Sequence, residues 1–442
     1  MANYIKAGFA RADISPEEYY GLAGFGTDGH RVCNNILDRP MVTCVAITDE
    51  KDNTYLLFSS DTLYVSERMT ELVRQSISAA TGIPGEHVLL VATHTHAGPS
   101  IHPGEQNVQN YYPHYVRQAT KAAQEALEDQ TEAELYVGRK SVKGMNFVRH
   151  YVLDDGTFIG MGFGYPGRTR FHTDISDEQL QMIRFARKDA RDILMVNWQC
   201  HATITSGDVR PDMSADFIAP FRDHLEGLSG CKVAYFQGAA GNLVPSSRIK
   251  EENIIKHDHI VYGRALAEEA FALLSQLESA QAGSFSSKQI CHKAAIDHSD
   301  DPFEEEADIT YKKFYELQDE AERRALIKES RFNSVYHAMH VRSRARLPET
   351  MDMEINAIGG GDIAFVSAPY EMFNSNGRFV KDNSPYKMTF VLAYCNGFNS
   401  YLPDEKAFNY DCYEVNARRF PKGAAEEIAN MHVAMLNELK EK

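Results

Sequence analysis

A chain of 442 residues, 43% of them apolar, can bury a large core, so disorder is excluded and one elaborate domain or two ordinary ones are allowed. A formal charge of −16, with no run of five or six Lys or Arg, argues against nucleic acid and anionic membrane surfaces as partners. The seven cysteines, at 33, 44, 200, 231, 291, 395 and 412, are odd in number and contain no C-x-x-C pair. Neither a disulfide framework nor a thiolate zinc knuckle is indicated, and reduced thiols in a cytoplasm fit best.

The opening stretch, "MANYIKAGFARADISPEEYY", carries Lys6, Arg11 and Asp13 where a secretory signal needs an unbroken apolar run. No later segment has 18 consecutive apolar residues, so no membrane insertion is expected and a cytoplasmic location is. "TYLLFSSDTLYVS" is rich in strand formers and leads into "SERMTELVRQSISAATG", where Met69, Leu72, Val73 and Ile77 recur at helical spacing and Gly82 is a stop. "HVLLVATHTH" is the next strand. The strand-then-helix alternation returns in "DILMVNWQCHATI" before "SADFIAPFRDHLEGLSG", and in "KVAYFQGAAGNLVP" before "VYGRALAEEAFALLSQLE". The fold class expected is α/β, a mixed sheet with flanking helices and with functional loops at the carboxyl ends of strands.

From Asp300 to about Glu349 the composition becomes charged and helical, with Phe314, Leu317, Ala321 and Ala325 on one face, which predicts an amphipathic surface helix or an inserted helical arm. A strand-rich block follows, "EINAIGGGDIAFVSAPYEMF" and "KMTFVLAYCNGFNSYLP", and an amphipathic helix closes the chain around "AAEEIANMHVAMLNEL". With no repeat, low-complexity tract or linker, residues 1–442 are expected to form one integrated domain.

"VATHTHAGPS", residues 91–100, carries the first chemistry. In extended backbone His94 and His96 would project side by side, as a partial zinc site or as two strand-end histidines satisfied by carbonyls. His201 follows another apolar strand, and three histidines at neighbouring strand ends can form a three-ligand site with one open position. Glu371, after the kink at Pro369, is a further acid or a helix-opening glutamate. The small-residue loop "YFQGAAGNLVPSS" offers backbone amides near Gly238, Gly241 and Asn242 to an oxyanion, or is a tight connection; without Gly-Lys-Ser/Thr it is no P-loop. The metallo-β-lactamase pattern fails because Gly98 and Pro99 stand where Asp and His are needed, and an amidohydrolase barrel with two metals is weakened by the strands that precede the His pair.

Taken in order, "AGFARADISP", "FSSDTLY", "ATHTHAGP", "VNWQCHAT" with "SADF", "GAAGNLVP", "VSAPYE" and "CNGFNSYLP" resemble the N-terminal catalytic domain of the neutral/alkaline non-lysosomal ceramidase family. The resemblance implies one Zn²⁺ per chain held by His94, His201, Glu371 and Tyr401. It leaves His96 to support a ligand or to transfer a proton and makes Arg149, in "MNFVRHYVLDDG", a candidate to hold a carboxylate or oxyanion, with a surface salt bridge as its alternative. The family's serine in "Gly-Asp-Val-Ser-Pro" is replaced by Val244, with Ser246 and Ser247 beyond Pro245, and neither the family's immunoglobulin-like domain nor its secretory signal is evident.

The resulting expectation is a zinc-dependent hydrolase in which metal-activated water cleaves an amide of a small, soluble N-acyl compound, with His96, Arg149 and Asn242 in catalytic roles. An esterase, lactonase or sugar deacetylase on the same site is the alternative, as is an inactive metal-binding homologue.

Overall fold

The computed structural model describes residues 5–17, 21–24, 31–101, 108–160, 170–205, 212–245 and 258–441. Along Met41–Thr48 and Thr54–Ser60 both alternating sets of side chains are apolar and buried, so these strands must be covered on two faces. Cys44, Ala46, Leu56 and Phe58 pack against Met69, Val73 and Ile77 of the helix Glu67–Thr81 and against Tyr115 and Ala119 of Val108–Glu128. Val45, Ile47 and Leu57 turn the other way, into a core shared with Ile358, Phe365, Phe390 and Leu392 of a second sheet. Two sheets therefore face one another, with helices outside.

The larger sheet has nine strands. Its order is Lys232–Gln237, Ile193–Trp198, Gln179–Arg187, Thr131–Ser141, Ile5–Asp13, Met41–Thr48, Thr54–Ser60 and Val88–Ala92, with Glu278–Ala280 added on Thr131–Ser141. The second sheet runs Phe285–Ala295, Thr350–Gly360, Ile363–Ala368 and Met388–Ala393. Helices Ile218–Ser229 and His259–Leu274 cover Leu194, Val196 and Tyr235 on the outer face of the first sheet. On the second sheet, Ala424–Lys440 packs Ile428 and Leu436 near Ile355 and Val366.

Most neighbouring strands are antiparallel, which excludes the barrel. Among the described strands of the two sheets three pairings are parallel: Thr54–Ser60 with Val88–Ala92, Ile193–Trp198 with Lys232–Gln237, and Ile363–Ala368 with Met388–Ala393. These three place carboxyl ends, with their loops, on one rim of the molecule.

The helix expected after Ser66 is present as Glu67–Thr81, capped by the Ser66 side chain and closed by Gly82 at φ 76°. The charged region is helical, but not as one amphipathic helix. It forms three short helices, Glu304–Glu316, Glu320–Glu329 and Val335–Arg344, and the face drawn through Phe314, Leu317, Ala321 and Ala325 does not exist. Leu317 turns extended, at ψ 138°, and Asp319 starts a new helix by accepting from the amides of Ala321 and Glu322. The arm's small core is Ala307, Phe332, Ala338 and Val341, while Ala321 and Ala325 are exposed.

Candidate metal centre

His94 sits two residues beyond the strand Val88–Ala92 in left-handed backbone, at φ 60°. The pair thus comes together through a turn and not along an extended strand: Thr95 bridges Ala202, and His96 donates its amide to the Ala202 carbonyl at 3.0 Å. This tie joins the His-x-His loop to the loop carrying His201. The result is the juxtaposition anticipated by a different route, with His94 and His96 Nε2 atoms 3.2 Å apart. Gly24 permits it, because at φ 106° a Cβ there would lie 2.8 Å from the His96 ring.

Each buried imidazole is held by its Nδ1. His94 Nδ1 donates to the Leu63 carbonyl at 2.7 Å, and His201 Nδ1 to the carbonyls of Ala240 at 2.7 Å and Leu243 at 3.0 Å. With Nδ1–H so engaged, the neutral tautomer leaves the Nε2 lone pair facing the centre. His94 is also stacked on Tyr394, ring centres 4.0 Å apart. Two residues before Leu63, the fully buried Asp61 forms a two-pronged pair with Arg222 at 3.0 and 2.6 Å and accepts from the Met41 amide.

Glu371 arrives from the second sheet. Its Oε2 lies 3.3 Å from both His94 Nε2 and His201 Nε2. Neither Glu371 Oε2 nor His201 Nε2 makes a hydrogen bond, although both are buried. Orphaned polar atoms of this kind are costly unless something satisfies them. Burial pushes His201 down to about 4, with Glu371 opposing it, so the imidazole is neutral at pH 7. Burial raises the Glu371 carboxyl, but the neighbouring His94 and His201 outweigh that and hold it well below the usual range, ionised. A carboxylate and imidazole nitrogens converging on one point are the donors a divalent cation takes. The ring nitrogens of His94, His96 and His201 also lie within 4.8 Å of one another, so His96 stands in the same cluster, half-buried where the other two are enclosed.

Tyr401 pairs in register with Glu371 through the short strands Glu371–Met372 and Tyr401–Leu402. Burial and the Glu371 charge push its phenol well up. Its Oη lies 3.3 Å from Arg149 Nη2. Arg149 is not on the surface: its guanidinium is enclosed, paired with Glu414, and also donates to the Gly241 carbonyl at 3.3 Å. The alternative of an exposed salt bridge is thereby corrected, and most of its donors are occupied inside the protein.

Two of the amides offered to an oxyanion, those of Gly238 and Gly241, are occupied too. Gly238 N donates to Trp198 O and Gly241 N to Met372 O, because the loop closes against the backbone beside Glu371. Gly241 is required by that closeness, since a Cβ there would fall 2.6 Å from Glu371 O. Asn242 turns its Oδ1 to the amide and side chain of Asn374 at 3.0 and 3.1 Å, so the structure places it as a brace between the loop and the helix Asn374–Asn383. Val244 is buried in a short antiparallel pairing opposite Phe147; Ser246 and Ser247 lie outside the described residues.

Sequence reasoning did not find Glu414, His150 or Tyr394. The adjacent Arg149 and His150 inside the apolar run "FVRHY" were the available signal for a buried acid.

All seven cysteines are free. No helix among the described residues is long and apolar enough to cross a membrane. No protein-family model matches the chain, and no curated protein does. Among solved structures, the chain is similar to neutral ceramidase from Pseudomonas aeruginosa, at 17% identity and TM-score 0.74, covering 100% of this chain and 75% of that one. A ceramidase complexed with C2 matches at 16% identity and TM-score 0.74, covering 100% and 76%. The fold of this chain is therefore that of neutral ceramidase, the family its motifs resemble.

Proposed function

We propose that the protein is a metal-dependent hydrolase that cleaves the amide bond of a small N-acyl compound, with one Zn²⁺ at the centre. The observation that carries this reading is the convergence of His94 Nε2, His201 Nε2 and Glu371 Oε2 at 3.3 Å, two of the three atoms buried without a hydrogen bond. Tyr401 is the fourth ligand in this reading, from its register with Glu371. A bound zinc ion supplies an acidified water and polarises a carbonyl. The chain supplies the rest. Nδ1 anchors on His94 and His201 prevent the rings from rotating, and the enclosed Glu371 contributes negative charge. In this reading His96, the half-buried imidazole of the cluster, accepts a proton on one side of the reaction and returns it to the leaving amine. Arg149 holds the Tyr401 oxygen through Nη2.

Val244 supports a second reading, a metal-binding homologue without catalysis, because valine can neither attack nor donate a hydrogen bond. A cytoplasmic location and a single domain over 1–442 remain part of the proposal. The test is a screen of N-acyl, ester and lactone substrates with purified protein, before and after chelation and zinc restoration. Amide cleavage that chelator abolishes and zinc restores is the expected result. Cleavage indifferent to chelation overturns the metal reading, zinc uptake without any turnover favours the silent homologue, and turnover of esters or lactones alone reassigns the bond.

A further inference from the structure

Glu414 lies in the turn of helix Tyr413–Asn416 with 0% side-chain exposure, an acid with no access to water. Its Oε1 accepts from Arg149 Nε and pairs with Nη2, while Oε2 meets His150 Nε2 at 2.7 Å. Both partners come from consecutive positions of another segment, so one carboxylate fastens two neighbouring cation-forming side chains. Burial raises its carboxyl, and Arg149 with His150 brings it down to about 2, so it stays ionised.

What this clamp holds is the metal centre's edge. The Nη2 that Glu414 engages is the atom 3.3 Å from Tyr401 Oη and 3.3 Å from the carbonyl of Gly241, the residue pressed against Glu371. Arg149 Cζ also lies 5.7 Å from the centre of the Tyr401 ring, and Tyr413, beside Glu414, meets that ring edge-on at 5.5 Å. With Nε and Nη2 both engaged by Glu414, the guanidinium plane has little freedom to rotate. We propose that Glu414 is a positioning residue of the metal centre: by fastening Arg149 and His150 it sets where the Tyr401 oxygen stands beside Glu371. The inference rests on the reading that this centre holds a metal.

Glu414→Gln keeps the side chain's shape and removes its charge. The test measures zinc affinity by competition with a chromophoric chelator and records the visible spectrum of the cobalt-loaded protein. Asp129→Asn is the control, because Asp129 is bonded by the Phe9 amide, Arg187 and Lys232, away from the centre. Glu414→Gln is expected to weaken zinc binding about 10- to 100-fold and to alter the cobalt spectrum. Asp129→Asn is expected to lower the melting temperature and leave both unchanged. Should Glu414→Gln fail to fold, Arg149→Lys tests the same clamp, since one ammonium cannot reproduce the paired donors. Native zinc affinity together with a native cobalt spectrum in the folded variant overturns the role of Glu414. A parent protein that takes up no metal overturns the metal reading first, and this inference with it.

Discussion

The rim that carries His94, His201 and Glu371 and the arm Glu304–Arg344 are built on opposite terms. At the rim the two enclosed imidazoles and the acid behind them are fastened by identifiable groups, Leu63 O for His94, Ala240 O and Leu243 O for His201, Arg222 for Asp61, while Glu371 Oε2 and His201 Nε2 are left without a hydrogen bond where they converge. In the arm four apolar residues form the core, and much of the surface is ion pairs such as Arg324–Glu320, with side chains 78% and 66% exposed. Preorganised geometry needs side chains whose orientation is locked by the groups around them. Solvated pairs can rearrange at little cost. Under the proposed function the chemistry belongs to the rim, and the two regions are expected to respond differently to mutation.

His201→Ala breaks the comparison most severely if it is right. Zinc uptake is lost, and any zinc-dependent turnover falls by about 10³-fold or more, measured on protein shown by circular dichroism to be folded. Asp61→Ala is next, because it strands the buried Arg222 guanidinium: a loss of about 3–5 kcal/mol in urea titration is expected. His432 sharpens the same point through pH. It is buried, donates from Nε2 to the Ser367 carbonyl at 2.9 Å under the strand leading to Glu371, and is pushed by burial to about 4. The unfolded chain therefore binds this proton between pH 6.5 and 4 and the folded one does not. Stability contributed here is full above about 6.5 and falls on acidification, by on the order of 3 kcal/mol at pH 4, and a His432→Gln variant loses that slope. Val244→Ala removes two buried methyl groups at a cost of about 1–2 kcal/mol in denaturant, with zinc-dependent activity largely kept. Arg324→Ala in the arm is the smallest, below about 1 kcal/mol in thermal melts and without effect on turnover.

The parts of the fold legible in the sequence were those with strong local signals. Buried strands read as apolar runs, and the helix Glu67–Thr81 read from its periodicity with Ser66 and Gly82 at its ends. The arm misled because the apolar spacing through Phe314 to Ala325 is helical, while Asp319 offers a better local solution, capping two amides at the cost of one break. At the site, His94, His96, His201 and Glu371 were legible because each follows an apolar strand, and strand ends gather on one rim wherever strands run parallel. The turn at His94 was not, since a positive φ at a histidine leaves no mark in composition. Nor was the occupation of Gly238 and Gly241, which depends on backbone from Trp198 and Met372 far along the chain. Glu414 was invisible for the same reason: its partner Arg149 is 265 residues away.

A crystal grown with zinc, measured for anomalous scattering on both sides of the zinc absorption edge, addresses the centre without reference to substrate. A single strong peak is expected within about 2.0–2.2 Å of His94 Nε2, His201 Nε2 and a Glu371 oxygen. An empty map between those three side chains, or zinc bound only elsewhere on the surface, would contradict the assignment of this rim as a metal centre.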